Sequence, residues 1–149
     1  MPKKIWHNVG MSSFQQQISE WLGLGPVQTE RDLLDIIERR LSPSSINRLL
    51  ALGITRSDVD ELVIPLRTLQ HRRSRREKLT VEESDRVLRI MRALSQAENL
   101  YGSRERALAW LRRPNPRLQG RAPLSLLKTD AGSRIVDELL VQIDEGMFV

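Results

Sequence analysis

Helix starts and stops punctuate this chain from Ser12 to Gly146, and they leave little room for anything but helix. Ser12 or Ser13 can cap a segment carrying Phe14, Ile18, Trp21 and Leu22, and Gly23-Leu24-Gly25-Pro26 ends it. Thr29, with Asp32 three positions on, makes a capping-box-like start before Leu33, Leu34, Ile37 and Leu41. Ser42-Pro43 reads as a serine cap followed by proline at the first helical position, with Ile46, Leu49 and Leu50 facing inward and Gly53 as the stop. Thr55-x-x-Asp58 precedes Val59, Leu62 and Val63, and Pro65 opens a segment through Leu66 and Leu69. Thr80-x-x-Glu83 is a clean capping box. It opens the longest helix, predicted over residues 81–101, with Val87, Met91, Leu94 and Tyr101 on one side, Leu88 beside them and Gly102 at the end. Ser103 caps a helix with Ala107, Trp110 and Leu111, stopped by Pro114. Pro123 and Thr129 start the last two, the second with Ile135, Leu139, Leu140 and Ile143 as its apolar stripe. Only short runs such as Leu62-Val63-Ile64 could pass for strands, and no period-2 segment occurs. The fold class expected is all-α.

A chain of 149 residues makes one large domain or two small ones. Hydrophobic residues at 40% and charged residues at 29% suit a globular protein, and the absence of cysteine excludes disulfides and thiolate chemistry. The opening "MPKKIWHNVG" has no apolar run of the kind a signal peptide needs. No apolar stretch approaches the roughly 20 residues of a membrane helix. A soluble, intracellular protein is expected, with no membrane partner.

The net charge of +5 is unevenly placed. Residues 65–78 hold Arg67, Arg72, Arg73, Arg75, Arg76 and Lys78 against Glu77 alone, and residues 104–121 hold Arg104, Arg106, Arg112, Arg113, Arg117 and Arg121 against Glu105. Residues 128–149 are acidic. The division between halves falls at residues 77–80. Residues 1–28 then form an arm and a helix, 29–78 a first domain and 79–149 a second.

Catalytic chemistry finds little to work with. His7 and His71 are the two histidines, and no serine has an obvious histidine partner. There is no H-E-x-x-H or Cys/His spacing for a metal, no Walker loop and no G-x-G-x-x-G. No catalytic residue, metal ligand or cofactor is predicted.

Two segments do suggest binding. Residues Arg56–Leu62 and Pro65–Arg73 read as two short helices with a tight connection, a helix-turn-helix. Leu66 and Leu69 share the inward face of the second. Arg67, Thr68, Gln70, His71, Arg72, Arg73, Arg75 and Arg76 are left outward, with donors near the helix start for base edges and cations for phosphates. The competing account is a solvated basic face and an arginine-rich linker; Val63 stands where the turn often carries glycine, and Pro65 stiffens the entry. The other segment is the end, Asp144, Glu145, Gly146, Met147, Phe148 and Val149. Termini are usually polar and frayed. An apolar one either closes its own core or enters another molecule, and the residues alone do not choose.

Residues 79–149 resemble the Xre/MbcA/ParS group of antitoxins. The likeness rests on Leu79-Thr80, Glu82-Glu83-Ser84-Asp85-Arg86, Ala97-Glu98 before Tyr101-Gly102, and Ala107-Leu108-x-Trp110-Leu111. It continues through Asn115, Leu118-x-Gly120-x-x-Pro123-Leu124, Gly132, Val136 and Asp144-Glu145-Gly146. The resemblance implies an Xre antitoxin of a type II toxin–antitoxin pair in the bacterial cytoplasm, with a RES-type NAD-degrading toxin as partner. The C-terminal domain would hold that toxin, and the chain end, Asp144–Val149, would block its NAD pocket. The N-terminal domain would bind and repress the operon's own promoter, as a homodimer. A plain helix-turn-helix transcriptional regulator whose C-terminal half only dimerises is the alternative.

Overall fold

The computed structural model describes residues 13–147. The arm expected over residues 1–11, the alternative cap Ser12, and Phe148 and Val149 of the expected toxin-binding end lie outside the described residues. The described chain is helical, as expected. Its elements are α1 (Ser13–Leu22), α2 (Glu30–Arg39), α3 (Ser44–Ala51), α4 (Arg56–Leu62), α5 (Leu66–Ser74), α6 (Val81–Tyr101), α7 (Arg104–Arg112) and α8 (Asp130–Asp144). Two 3-10 turns, Pro116–Leu118 and Pro123–Lys128, stand between α7 and α8. The described residues contain no strand, only an isolated bridge between Asn115 and Arg121.

The caps work as their residue types require. Thr29, Thr55 and Thr80 each accept from the N–H three residues on, at 3.1 Å, and Asp32, Asp58 and Glu83 each accept in return from the threonine N–H, at 3.0, 2.9 and 2.8 Å. The N–H groups of Gln28 and then Thr29 hold the Asp32 carboxyl below its ordinary value. Ser103 and Thr129 cap α7 and α8 at 3.2 and 3.0 Å.

Local details depart from expectation. Helix α3 is assigned from Ser44, but Ser42 caps it as expected: its hydroxyl accepts from the Ser44 N–H at 3.1 Å, and Pro43 already has helical backbone angles. Pro65 stands just outside α5, whose first N–H is taken by the Asp60 carboxylate of α4 at 2.9 Å. Residues 123–128 wind as a 3-10 turn rather than an α-helix. Leu34 and Ile135, expected inward, are 52% and 50% exposed. Each lies about 100° around its helix from a fully or nearly buried neighbour, Leu33 or Val136, and so falls off the inward stripe.

The fold divides into two compact units at Leu88/Arg89. The first buries Ile18, Leu33, Ile46, Leu49, Val59 and Leu69. In the strand-like run Leu62-Val63-Ile64, Leu62 ends α4, and Val63 and Ile64 form a buried turn before α5. The end of α2 is pinned to the start of α6: Arg40 Nε donates to the Leu79 carbonyl at 2.7 Å, Leu79 N–H to Leu41 at 2.9 Å, and Leu41 N–H to the Ser84 hydroxyl at 2.9 Å. Arg40 sits at φ 66° and ψ 133°, backbone that an L-residue adopts only when its surroundings force it.

In the second unit the turn over Pro123–Lys128 packs on α8, burying Leu124, Leu126 and Leu127 with Val136, Leu139 and Leu140. Gly132 allows that approach: a Cβ there would lie 2.0 Å from the Leu126 carbonyl oxygen. Before it, the Asn115 side chain accepts from the Arg117 N–H at 2.9 Å, and the Asn115 carbonyl accepts from Leu118 and Gly120 at 2.9 Å each, which closes the bend.

Candidate functional site

Helices α4 and α5 form the expected pair, and the turn between them explains why no glycine is needed. Val63 has φ −116° and ψ −63°, ordinary for an L-residue, and its N–H and that of Ile64 both reach the Val59 carbonyl at 3.0 Å. The turn can therefore carry side chains, and it buries those of Val63 and Ile64 in the core. Leu69 is buried and Leu66 half-buried, which fixes the inner face of α5.

The outward residues separate into two groups. Arg67, Gln70, His71, Arg73, Arg75 and Arg76 are exposed and Thr68 is half-buried. Arg72, expected outward, turns inward. Its Nη2 lies 3.3 and 3.2 Å from the two Glu83 carboxylate oxygens, its Nη1 is 3.9 Å from Glu77, and its Nε is buried without a partner. Glu83 at the start of α6 therefore has two duties, as cap of its own helix and as anchor of α5. Sequence periodicity did not reveal this, because the partner comes from a different helix. Asn47 was missed for the same reason: its side-chain oxygen accepts from Arg73 Nη2 at 2.9 Å.

Helix α5 ends with Arg76 at φ 56°. The Glu77 N–H reaches back to the Arg72 carbonyl at 2.9 Å and the Arg76 N–H to Arg73 at 3.2 Å, a helix stop that usually employs glycine. Helix α8 ends the same way with glycine itself. Gly146 has φ 76°, and the Met147 N–H reaches the Gln142 carbonyl at 3.0 Å. Asp144, Glu145 and Gly146 are exposed, and Met147 is 60% exposed, so its side chain does not seal the unit's own core. Trp110 is half-buried and lies 6.0 Å from the ring of Tyr101, whose hydroxyl pKa is raised by burial against a lowering effect of Arg113.

Among the described residues no group of His, Asp and Glu is placed to hold a metal ion, and no helix is long and apolar enough to cross a membrane. A helix-turn-helix with an exposed basic face, followed by a second helical unit with an exposed acidic and apolar tip, defines a two-module DNA-binding protein.

Comparison with known proteins agrees and goes further. Residues 32–92 match the antitoxin Xre-like helix-turn-helix domain, and residues 96–146 match the antitoxin Xre/MbcA/ParS C-terminal toxin-binding domain. The chain is 29% identical to Antitoxin Xre of Pseudomonas putida over 98% of its own length and 92% of the relative's. It is 31% identical to Antitoxin Xre of Yersinia enterocolitica, over 86% and 89% of the two chains. It is 28% identical to the "Prs ADP-ribosylating antitoxin" of a Sphingobium strain, over 78% and 80%. The chain belongs to the Xre family of antitoxins. As such it has a toxin and DNA as its two classes of partner, and a regulator whose second half only dimerises is set aside.

Proposed function

We propose that this antitoxin neutralises a RES-type, NAD-degrading toxin by occluding its NAD pocket, and represses its own operon by binding promoter DNA as a homodimer in the bacterial cytoplasm. In this account the DNA-binding helices lie within residues 29–78, and the toxin-binding part lies within 79–149, beyond the division between the compact units at Leu88/Arg89. Arg67, Thr68, Gln70 and His71 face base edges; Arg73, Arg75 and Arg76 face phosphates; Arg72 holds the helix that carries them. The chain itself catalyses nothing in this account.

The observation that carries the toxin half is the tip of α8. An unpaired apolar side chain on a short extension is costly in water and gains roughly 1.5–3 kcal/mol on full burial in a partner, before the cost of ordering is subtracted. Met147 presents such a side chain directly after exposed Asp144 and Glu145. Phe148 and Val149 continue the same chemistry. The carboxylates match arginines of a pocket that otherwise holds a dinucleotide's phosphates. The name of the Sphingobium relative associates an antitoxin with ADP-ribosylation, which also consumes NAD.

The test is co-expression with the product of the neighbouring gene. Deleting Asp144–Val149 should leave the melting temperature and DNA binding intact while NAD consumption returns. Full protection by the truncated chain would rule out the occlusion mechanism.

A further inference from the structure

Beside the end of α5 lies a hollow of about 400 Å³ that joins two of the arginines assigned to phosphates, Arg73 and Arg76, to residues outside the α4–α5 pair. Its walls bring together residues distant in sequence: Ser42, Ser44 and Asn47 from the start of α3, and Arg73, Arg76 and Lys78 from the end of α5 and the link after it. Like charges that share one hollow repel, and a cluster of them is stable when water or an anion screens it. Among the described residues no carboxylate stands within 4.0 Å of Arg73, Arg76 or Lys78. Glu77, which also lines the hollow, is drawn toward Arg72 at 3.9 Å.

Two of the cations are positioned rather than loose. Asn47 holds the Arg73 guanidinium at 2.9 Å, and Lys78 Nζ donates to the Arg39 carbonyl at 3.0 Å. An arginine that has one N–H engaged keeps its other donors aimed and loses less freedom on binding an oxyanion. The exposed hydroxyls of Ser42 and Ser44, which contact each other, complete the rim. The first-turn N–H of α3 is already taken by Ser42, so the donors offered are side chains and not a bare helix end.

We infer that this hollow seats a phosphate of the DNA backbone, adding α3 to the footprint of α4 and α5. The inference rests on the DNA-binding reading. It assigns Arg73, Arg76 and Lys78, with Ser42, Ser44 and Asn47, to a phosphate that carries no sequence information, and it leaves base reading to the exposed start of α5. A dianionic oxyanion in free solution offers the same chemistry, so the test separates the two sources.

Arg76→Gly is a well-suited variant. It deletes the guanidinium, and glycine relieves the positive φ, so the fold is expected to hold. Arg73→Gln provides an independent second variant. The full chain is titrated by fluorescence anisotropy against a duplex from upstream of its own gene and an unrelated duplex, from low to moderate salt. The wild-type plot of log K against log salt is expected to lose about 0.9 of slope for each variant, with both duplexes weakened by the same factor. Unchanged slopes in both variants, while the wild type binds DNA normally, would overturn the seat and the phosphate roles of Arg73 and Arg76, and leave DNA binding through the rest of the helix-turn-helix standing. No salt-sensitive binding by the wild type would fail the reading on which the seat rests, and the seat with it. Inorganic phosphate is added in a second arm, read by amide shifts of Ser44 and Asn47. Shifts that vanish in Arg76→Gly without any change in DNA slope would make the hollow a free-anion site and also overturn the assignment.

Discussion

A Cβ at position 132 would intrude on the Leu126 carbonyl oxygen at 2.0 Å, well inside contact distance, and the obstacle is backbone rather than a side chain that can swing away. Gly132→Ala must therefore push apart α8 and the 3-10 turn at Pro123–Lys128. Forced overpacking costs typically 1–3 kcal/mol, and the rigid neighbour puts this substitution at about 3. A circular-dichroism melt should show a clear drop in the transition of the second unit, and Gly132→Ser should be no better tolerated. Nothing local in the sequence marks the residue. It reads as a glycine inside the first turn of a capped helix, because the close approach comes from a neighbour fixed only by the tertiary fold. Arg40 and Arg76 were illegible for the complementary reason. Both sit at positive φ, where glycine or asparagine would have announced the turn, and their neighbours force the conformation instead. At Arg40 the hydrogen bonds to the Lys78 and Leu79 carbonyls offset that strain.

Helix existence and caps were the legible part at the scale of elements. Thr29, Thr55, Thr80, Ser103 and Thr129 each stand one residue before a helix and accept the N–H that their chemistry predicts, since a cap is a contact within a few residues. The inward face of α5 was read correctly at Leu69 and misread at Arg72, because a charged residue can turn inward when another element supplies its partner. The Arg72–Glu83 pair is the element-scale device that orients α5. Arg72 keeps 22% of its side-chain exposure and Glu83 keeps 10%, so breaking the pair should cost less than the roughly 3–5 kcal/mol of a fully buried one. Arg72→Ala is expected to destabilise the first unit by about 2 kcal/mol in a urea titration. Glu83→Ala should cost about 1 kcal/mol more, since the bond its carboxylate accepts from the Thr80 N–H is lost with it. Thr80→Ala, which removes only the side-chain acceptor of the cap, serves as the control. In DNA titrations at a temperature where the variant is folded, Arg72→Ala should weaken binding with the salt slope unchanged, as expected of a residue that positions others and touches no phosphate. A slope reduced by about 0.9 would instead make Arg72 a phosphate contact.

For the whole molecule, basic surface is not confined to the helix-turn-helix, and only the last residues turn acidic. Exposed arginines lie on the helix-turn-helix and again over residues 104–121, while the tip of α8 is acidic and apolar, so the tip differs in chemistry from the basic face of α5. The family match assigns the helix-turn-helix to residues 32–92 and toxin binding to residues 96–146, and the compact units divide at Leu88/Arg89. The two activities should therefore separate by mutation. Replacing Arg67 and Gln70 together with alanine removes exposed donors at the start of α5 and leaves its buried face at Leu69 alone. Each good base contact is worth about 1–3 kcal/mol of discrimination. The double variant should therefore lose preference for its own upstream DNA over an unrelated duplex by at least tenfold, with the melting temperature within a degree or two of wild type. Its protection of cells expressing the toxin should be undiminished when the variant is supplied from an unrelated promoter, which takes autoregulation out of the comparison. Loss of protection along with DNA preference, in a variant that still melts normally, would mean that toxin and DNA share a surface, and the two-module account would have to be given up.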